Sequence, residues 1–218
     1  MATKLQIPNR LVAHEIGHGV ASALASADST EFAISRTADG ALCTSRLPSV
    51  ELEAQFATVL GGPLLDMMVD RTISGASEIR DVAAAVLHWQ QEQDRPNANF
   101  APDSDIVRSR RFARALDGGE QFTALQTAMG AASVAYRLYT DRPMELTMVA
   151  RRLDGLDEGD ALAFTGTQIA DAAAGKAPLP HTVVNLHGWL AGTTERANDA
   201  MAVEAELIVR ELNLREAR

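Results

Sequence analysis

His14-Glu15-Ile16-Gly17-His18 puts two imidazoles four residues apart with a carboxylate beside the first. On a helix, at about 100° per residue, His14 and His18 fall on one face a turn apart, so both rings can reach a single metal ion. Glu15 projects next to that pair. From there it is poorly placed as a ligand, but well placed to hold a water and take its proton while a peptide carbonyl is attacked. The pattern predicts a zinc site of the kind that hydrolyses peptide bonds. Leu11, Val12, Ile16, Val20 and Leu24 surround it with core-type residues. Burying His, Glu and His in an apolar helix costs stability unless something satisfies them.

A helix over Asn9 to Ala27, with Asn9 as its N-cap, must carry the motif. Two alternating runs follow, Glu31 to Arg36 and Ala41 to Leu47, around Ala38-Asp39-Gly40, which reads as a β-hairpin. An edge strand beside such a site can hold an extended peptide through backbone hydrogen bonds. Pro48 and Ser49 open a second helix, with Val50, Leu52, Phe56, Val59 and Leu60 on its buried side, until Gly61-Gly62-Pro63 interrupts or kinks it. The two glycines allow close backbone approach. Asp66 stands among apolar residues, so it lies at the helix surface or is held by a donor, for which a metal-ligand histidine is a candidate.

A catalytic zinc takes three protein ligands, so the first helix needs a partner. Thr72 to Ser77 forms a small-residue loop ending in an N-cap, and a third helix from Glu78 to Gln91 is the place to look for it. It carries Glu78, Asp81 and His88.

The succession of His14-Glu15-Ile16-Gly17-His18, the hairpin, Val59-Leu60-Gly61-Gly62 and Ser74-Gly75-Ala76-Ser77 resembles the peptidase domain of FtsH-type AAA zinc metalloproteases. The likeness covers Asn9 to Val86, with a fainter echo from Tyr136 to Ile169. It implies a mainly α fold with a small β-hairpin, a zincin-like helical peptidase domain over residues 1–175. It also implies that an Asp after the Gly-Ala-Ser block completes the zinc site. With a short insertion that Asp is Asp81, and the ligand set becomes His14, His18 and Asp81. Glu78, a turn away, is the alternative, although an acid in a first helical turn also suits the helix dipole. The family's basic residue after Leu-Gly-Gly is Pro63 here, and its Glu is Asp66.

The rest of the chain reads as support. Asp103 or Ser104 caps a helix to Leu116, Glu120 to Tyr139 forms another, and Asp141-Arg142-Pro143 opens a third to Leu153. Gly155 to Thr167 reads as an acidic turn before a short helix to Ala174. Residues 176–218 form a C-terminal connection and an amphipathic helix, starting at Thr193 or Thr194, that docks on the domain or on another subunit. His181 and His187 read as ordinary loop histidines.

Composition bounds the function. A net charge of −9 disfavours nucleic acid or an anionic membrane as partner. A single cysteine, Cys43, fits a reducing compartment, the cytoplasm. No phosphate-binding G-x-x-x-x-G-K-[ST] loop occurs. The expectation is therefore an ATP-independent zinc (Zn2+) metalloendopeptidase acting on peptides or unfolded protein segments, as a homo-oligomer or with a separate ATPase. The alternative is a non-catalytic regulatory protein that keeps the peptidase scaffold and binds partners through the hairpin or the last helix.

Overall fold

Val12, Ala13, Ile16, Gly17, Val20 and Ala21 fill one half of the first helix and Glu15, His18, Gly19 and Ser22 the other, and all are buried. A helix buried all round must be wrapped by others, and its polar residues must find partners there. In a computed structural model of the protein, which describes residues 7–26, 31–38, 40–45, 51–73 and 104–191, that helix, α1 (Asn9–Ala25), is the centre of the packing. The N-cap position is Pro8, not Asn9, and makes no side-chain capping bond. The Asn9 amide instead donates to the Pro143 carbonyl and to Thr147 Oγ1, tying the start of α1 to a distant helix.

The hairpin forms as expected: β1 (Glu31–Arg36) pairs antiparallel with β2 (Ala41–Ser45), with Arg36 opposite Ala41 and Ile34 opposite Cys43. α2 (Leu52–Val69) then runs unbroken through Pro63, so the expected interruption does not occur. A proline inside a helix costs about 3 kcal/mol. Packing offsets it, since Phe56, Leu60, Leu64 and Leu65 of α2 are fully or almost fully buried between α1 and later helices. The expected third helix, residues 78–91, lies outside the described residues, as does the terminal helix from Thr193.

α3 (Asp105–Ala115) starts where the sequence places it, with Ser104 as N-cap accepting from Val107 N–H. α4 (Gly118–Asp141) opens on a capping box. The Asp117 carboxylate accepts from Gly119 and Glu120, and the Glu120 side chain reaches back to Asp117 N–H. Its alanines and Leu125, Met129 and Leu138 pack on α1 and α2. α5 (Pro143–Asp154) has its proline in the first turn.

Residues 160–165 are not part of a turn. They form β3 (Asp160–Thr165), which pairs antiparallel with β1 from Glu31↔Thr165 to Ser35↔Ala161. Nothing β-branched marks Ala161-Leu162-Ala163-Phe164. Pairing creates the strand, and it buries Leu162 and Phe164. After α6 (Gly166–Ala173), β4 (Thr182–Asn185) adds to β3, followed by α7 (Leu186–Leu190). Among the described residues the fold is thus mainly helical with a four-stranded antiparallel sheet in the order β2-β1-β3-β4. No described helix is long and apolar enough to cross a membrane.

Candidate metal centre

Glycines let the surrounding elements press onto the α1 backbone. A Cβ on Gly17 would overlap the Gly61 carbonyl of α2, a Cβ on Gly61 would overlap the Gly17 carbonyl, and one on Gly19 would overlap the Phe32 ring of β1. Only hydrogen at these positions permits this crossing, as the Gly61-Gly62 pair suggested. The crossing brings the middle of α2 against the histidine face of α1.

There α2 fixes both rings. His14 Nδ1 donates to Asp66 Oδ2 at 2.8 Å, and His18 Nδ1 donates to the Thr58 carbonyl at 2.8 Å. Both Nδ1 atoms are engaged, so each ring offers Nε2. The two Nε2 atoms are 3.0 Å apart, an arrangement that suits two lone pairs converging on one ion. Asp66 was recognisable in the sequence as an acid seeking a histidine donor, and that pairing is present.

α3 supplies the third donor. Asp105, in its first turn, puts Oδ2 3.5 Å from His14 Nε2 and 3.3 Å from His18 Nε2. His14, His18 and Asp105 form a group able to hold a metal ion, the one such group among the described residues. Asp81, the expected third ligand, lies outside the described residues, as do Glu78 and His88. Asp105 was missed because an acid one residue after a serine N-cap also reads as a favourable helix-dipole residue. No local signal separates it, since Ser104-Asp105-Ile106 reads as an ordinary capped helix start.

The geometry can be tested against an ion. Four tetrahedral ligands at about 2.0–2.1 Å stand about 3.3–3.4 Å from one another. The edges here are 3.0, 3.3 and 3.5 Å, close to that spacing on average. Gly62 leaves the space: a Cβ there would stand 2.5 Å from His18 Nε2 and 2.6 Å from His14 Nε2. The donor set fits a small divalent cation.

Glu15 completes the site. It is 7% exposed, and its Oε2 accepts the backbone N–H of Cys43 at 2.8 Å. The hairpin closes with Thr37 N–H donating to Gly40, and alternation from that pair turns the Cys43 amide away from β1, toward the sheet edge and Glu15. Burial raises the Glu15 pKa above its ordinary value, against the opposing pull of His18, His14 and the Cys43 amide. Burial also works against charge on His14, yet Asp105 and Asp66 outweigh it and lift His14 to about 9. Asp105 moves the opposite way: burial would raise its pKa, but hydrogen bonds from His14 and His18 hold it well below the usual carboxylate range. Burial, with Glu15 and Asp105 nearby, pushes the Cys43 thiol up and keeps it protonated. Two imidazoles and an ionised carboxylate, with a second carboxylate poised to accept a proton, can bind a cation and activate water.

No protein-family model, curated protein or solved structure matches the chain.

Proposed function

We propose that this chain is a zinc endopeptidase with a zincin-like helical domain of the FtsH type, hydrolysing peptides or unfolded protein segments without a nucleotide-binding loop of its own. The carrying observation is the triangle of His14 Nε2, His18 Nε2 and Asp105 Oδ2, with edges of tetrahedral length, beside the buried Glu15. Three protein ligands are what a catalytic zinc takes, whereas structural zinc closes its sphere with a fourth. Zinc held by these residues would polarise the scissile carbonyl and lower the pKa of water.

The chain's own residues supply the remaining chemistry. Glu15, with its raised pKa, takes a proton from the attacking water and passes it to the departing amine. The Cys43 amide holds one Glu15 oxygen and so sets where the other points. β2, at the edge of the four-stranded sheet and next to α1, offers outward backbone groups other than the Cys43 amide that align an extended peptide by strand addition. Such binding grips backbone and accepts many sequences, which suits unfolded segments.

The test pairs metal content with peptide cleavage. The parent should carry about one zinc per chain, Glu15→Gln should keep it and lose turnover, and Asp105→Ala should lose the metal. Zinc retained in Asp105→Ala but lost in Asp81→Ala would return the third ligand to Asp81. A parent that takes up no zinc would favour the interaction scaffold.

A further inference from the structure

We propose that Arg10, clamped by Asp70, is a positioning residue for His14: it immobilises the Asp66 carboxylate that fixes the His14 ring, and so tunes metal affinity from outside the ligand set. The inference rests on His14 being a metal ligand.

Arg10 lies one turn before His14 on α1, and Asp66 and Asp70 lie one turn apart on α2. Every nitrogen of the guanidinium is used. Nη1 and Nη2 donate to the two oxygens of Asp70 at 2.8 Å each, and Nε donates to Asp66 Oδ1 at 2.8 Å. The fork on Asp70 fixes the guanidinium plane, and that plane directs Nε at Asp66. With Oδ1 taken, Asp66 presents Oδ2 to His14 Nδ1 at 2.8 Å. The relay runs Asp70, Arg10, Asp66, His14, and ends at the nitrogen opposite the one that faces Asp105.

Stability alone does not account for these charges. Arg10 is in the first turn of α1, where the helix dipole disfavours a cation, and no acid accompanies it there. Asp66 and Asp70 stand at the last turn and C-cap of α2, where the dipole disfavours acids, and no base accompanies them in that turn. Both sets sit at the wrong helix ends. The Arg10 and Asp70 side chains are also 40% and 54% exposed, and ion pairs so open to water contribute little net stability. What the arrangement does accomplish is to hold the Asp66 carboxylate in one orientation. Outer partners of this kind set ring orientation and ligand basicity.

The test measures zinc affinity by chelator competition and the visible spectrum of the cobalt-loaded protein, for the parent, Arg10→Gln, Arg10→Lys and Asp70→Asn. Arg10→Gln should weaken zinc binding about three- to tenfold, less than the roughly 10- to 100-fold typical of a direct outer partner, and should alter the cobalt bands as the His14 ring loosens. Arg10→Lys should fall between it and the parent, because an ammonium keeps the charge without the fork. Asp70→Asn, which touches neither ligand nor Asp66, should weaken binding in the same direction and covers the case of a misfolded Arg10 variant. Unchanged affinity and cobalt spectrum in Arg10→Gln and Asp70→Asn, with only a lower melting temperature of the metal-free protein, would overturn the positioning role. A parent that binds neither zinc nor cobalt would instead overturn the metal reading beneath it.

Discussion

Gly61 and Gly62 are adjacent in α2, yet replacing each with alanine should break different properties of the protein. At Gly62 the added methyl carbon would stand 2.5 Å from His18 Nε2, 2.6 Å from His14 Nε2 and 2.7 Å from His14 Cδ2. Contact between carbon and nitrogen is comfortable at about 3.4 Å, so each Nε2 must retreat by roughly 0.8 Å. Metal sites tolerate about 0.2 Å in their bond lengths. The ion fares no better. A point about 2.05 Å from both Nε2 atoms can be at most about 3.5 Å from that methyl, and most placements are closer.

The atoms that must yield are side-chain tips, so relief comes from swinging the rings off Asp66 and Thr58, with the backbone in place. Alanine is also the better helix former, by about 0.5–1 kcal/mol over glycine. Gly62→Ala should therefore keep its fold, with a metal-free melting temperature lowered only by the loosened His14 and His18 hydrogen bonds, and lose roughly a hundredfold in zinc affinity. At Gly61 the methyl meets the Gly17 carbonyl of the facing helix, which is backbone and cannot swing away. Gly61→Ala should spread the α1–α2 crossing and cost about 1–3 kcal/mol in stability. Circular-dichroism melts of the metal-free proteins and zinc titrations by calorimetry separate the two effects. A Gly62→Ala protein that binds zinc with parental affinity would refute the placement of the metal between His14 and His18.

Three further outcomes follow from the same geometry. In the metal-free protein His14 titrates at about 9 against 6.5 when unfolded, so its contribution is complete below pH 6.5 and is lost as pH rises through 9. Urea unfolding free energies should fall by about 3 kcal/mol across that window, and a flat profile would refute the Asp105 and Asp66 contacts as the source. Asp105→Asn, which keeps the shape but removes the charge, should lower the His14 pKa in NMR titration and reduce zinc uptake together; a change in only one would separate the two roles. Asp117→Ala removes the acceptor that caps α4 and should lower stability by about 1 kcal/mol in denaturant melts without changing zinc affinity.

What the sequence disclosed and what it concealed divide along the range of the interactions involved. The histidine pair is a local periodicity, the hairpin is a local turn, the α3 start is a local cap and the α5 start a first-turn proline, so all were legible. Asp66 was legible in part: an acid among apolar residues lies at the helix surface or is held by a donor, and here His14 and Arg10 hold it. β3 was hidden because Asp160 to Ala163 carry no strand preference and Phe164-Thr165 alone are too short to signal one, so the run becomes a strand only when β1 is beside it. Pro63 misled in the opposite sense, since its local cost is real but smaller than the burial that α2 gains on both sides. Asp105 was hidden most completely. Its local environment, an acid in the first turn after Ser104, is fully accounted for by the helix dipole, and only the docking of α3 on α2 turns its carboxylate toward His14 and His18. The same reasoning accounts for Arg10, Asp66 and Asp70. Their positions run against the dipoles of their own helices, and a charge that local physics disfavours is a sequence-level sign of a partner elsewhere in the fold. Applied to α1 and α2, that criterion selects the relay behind His14 without any knowledge of the metal.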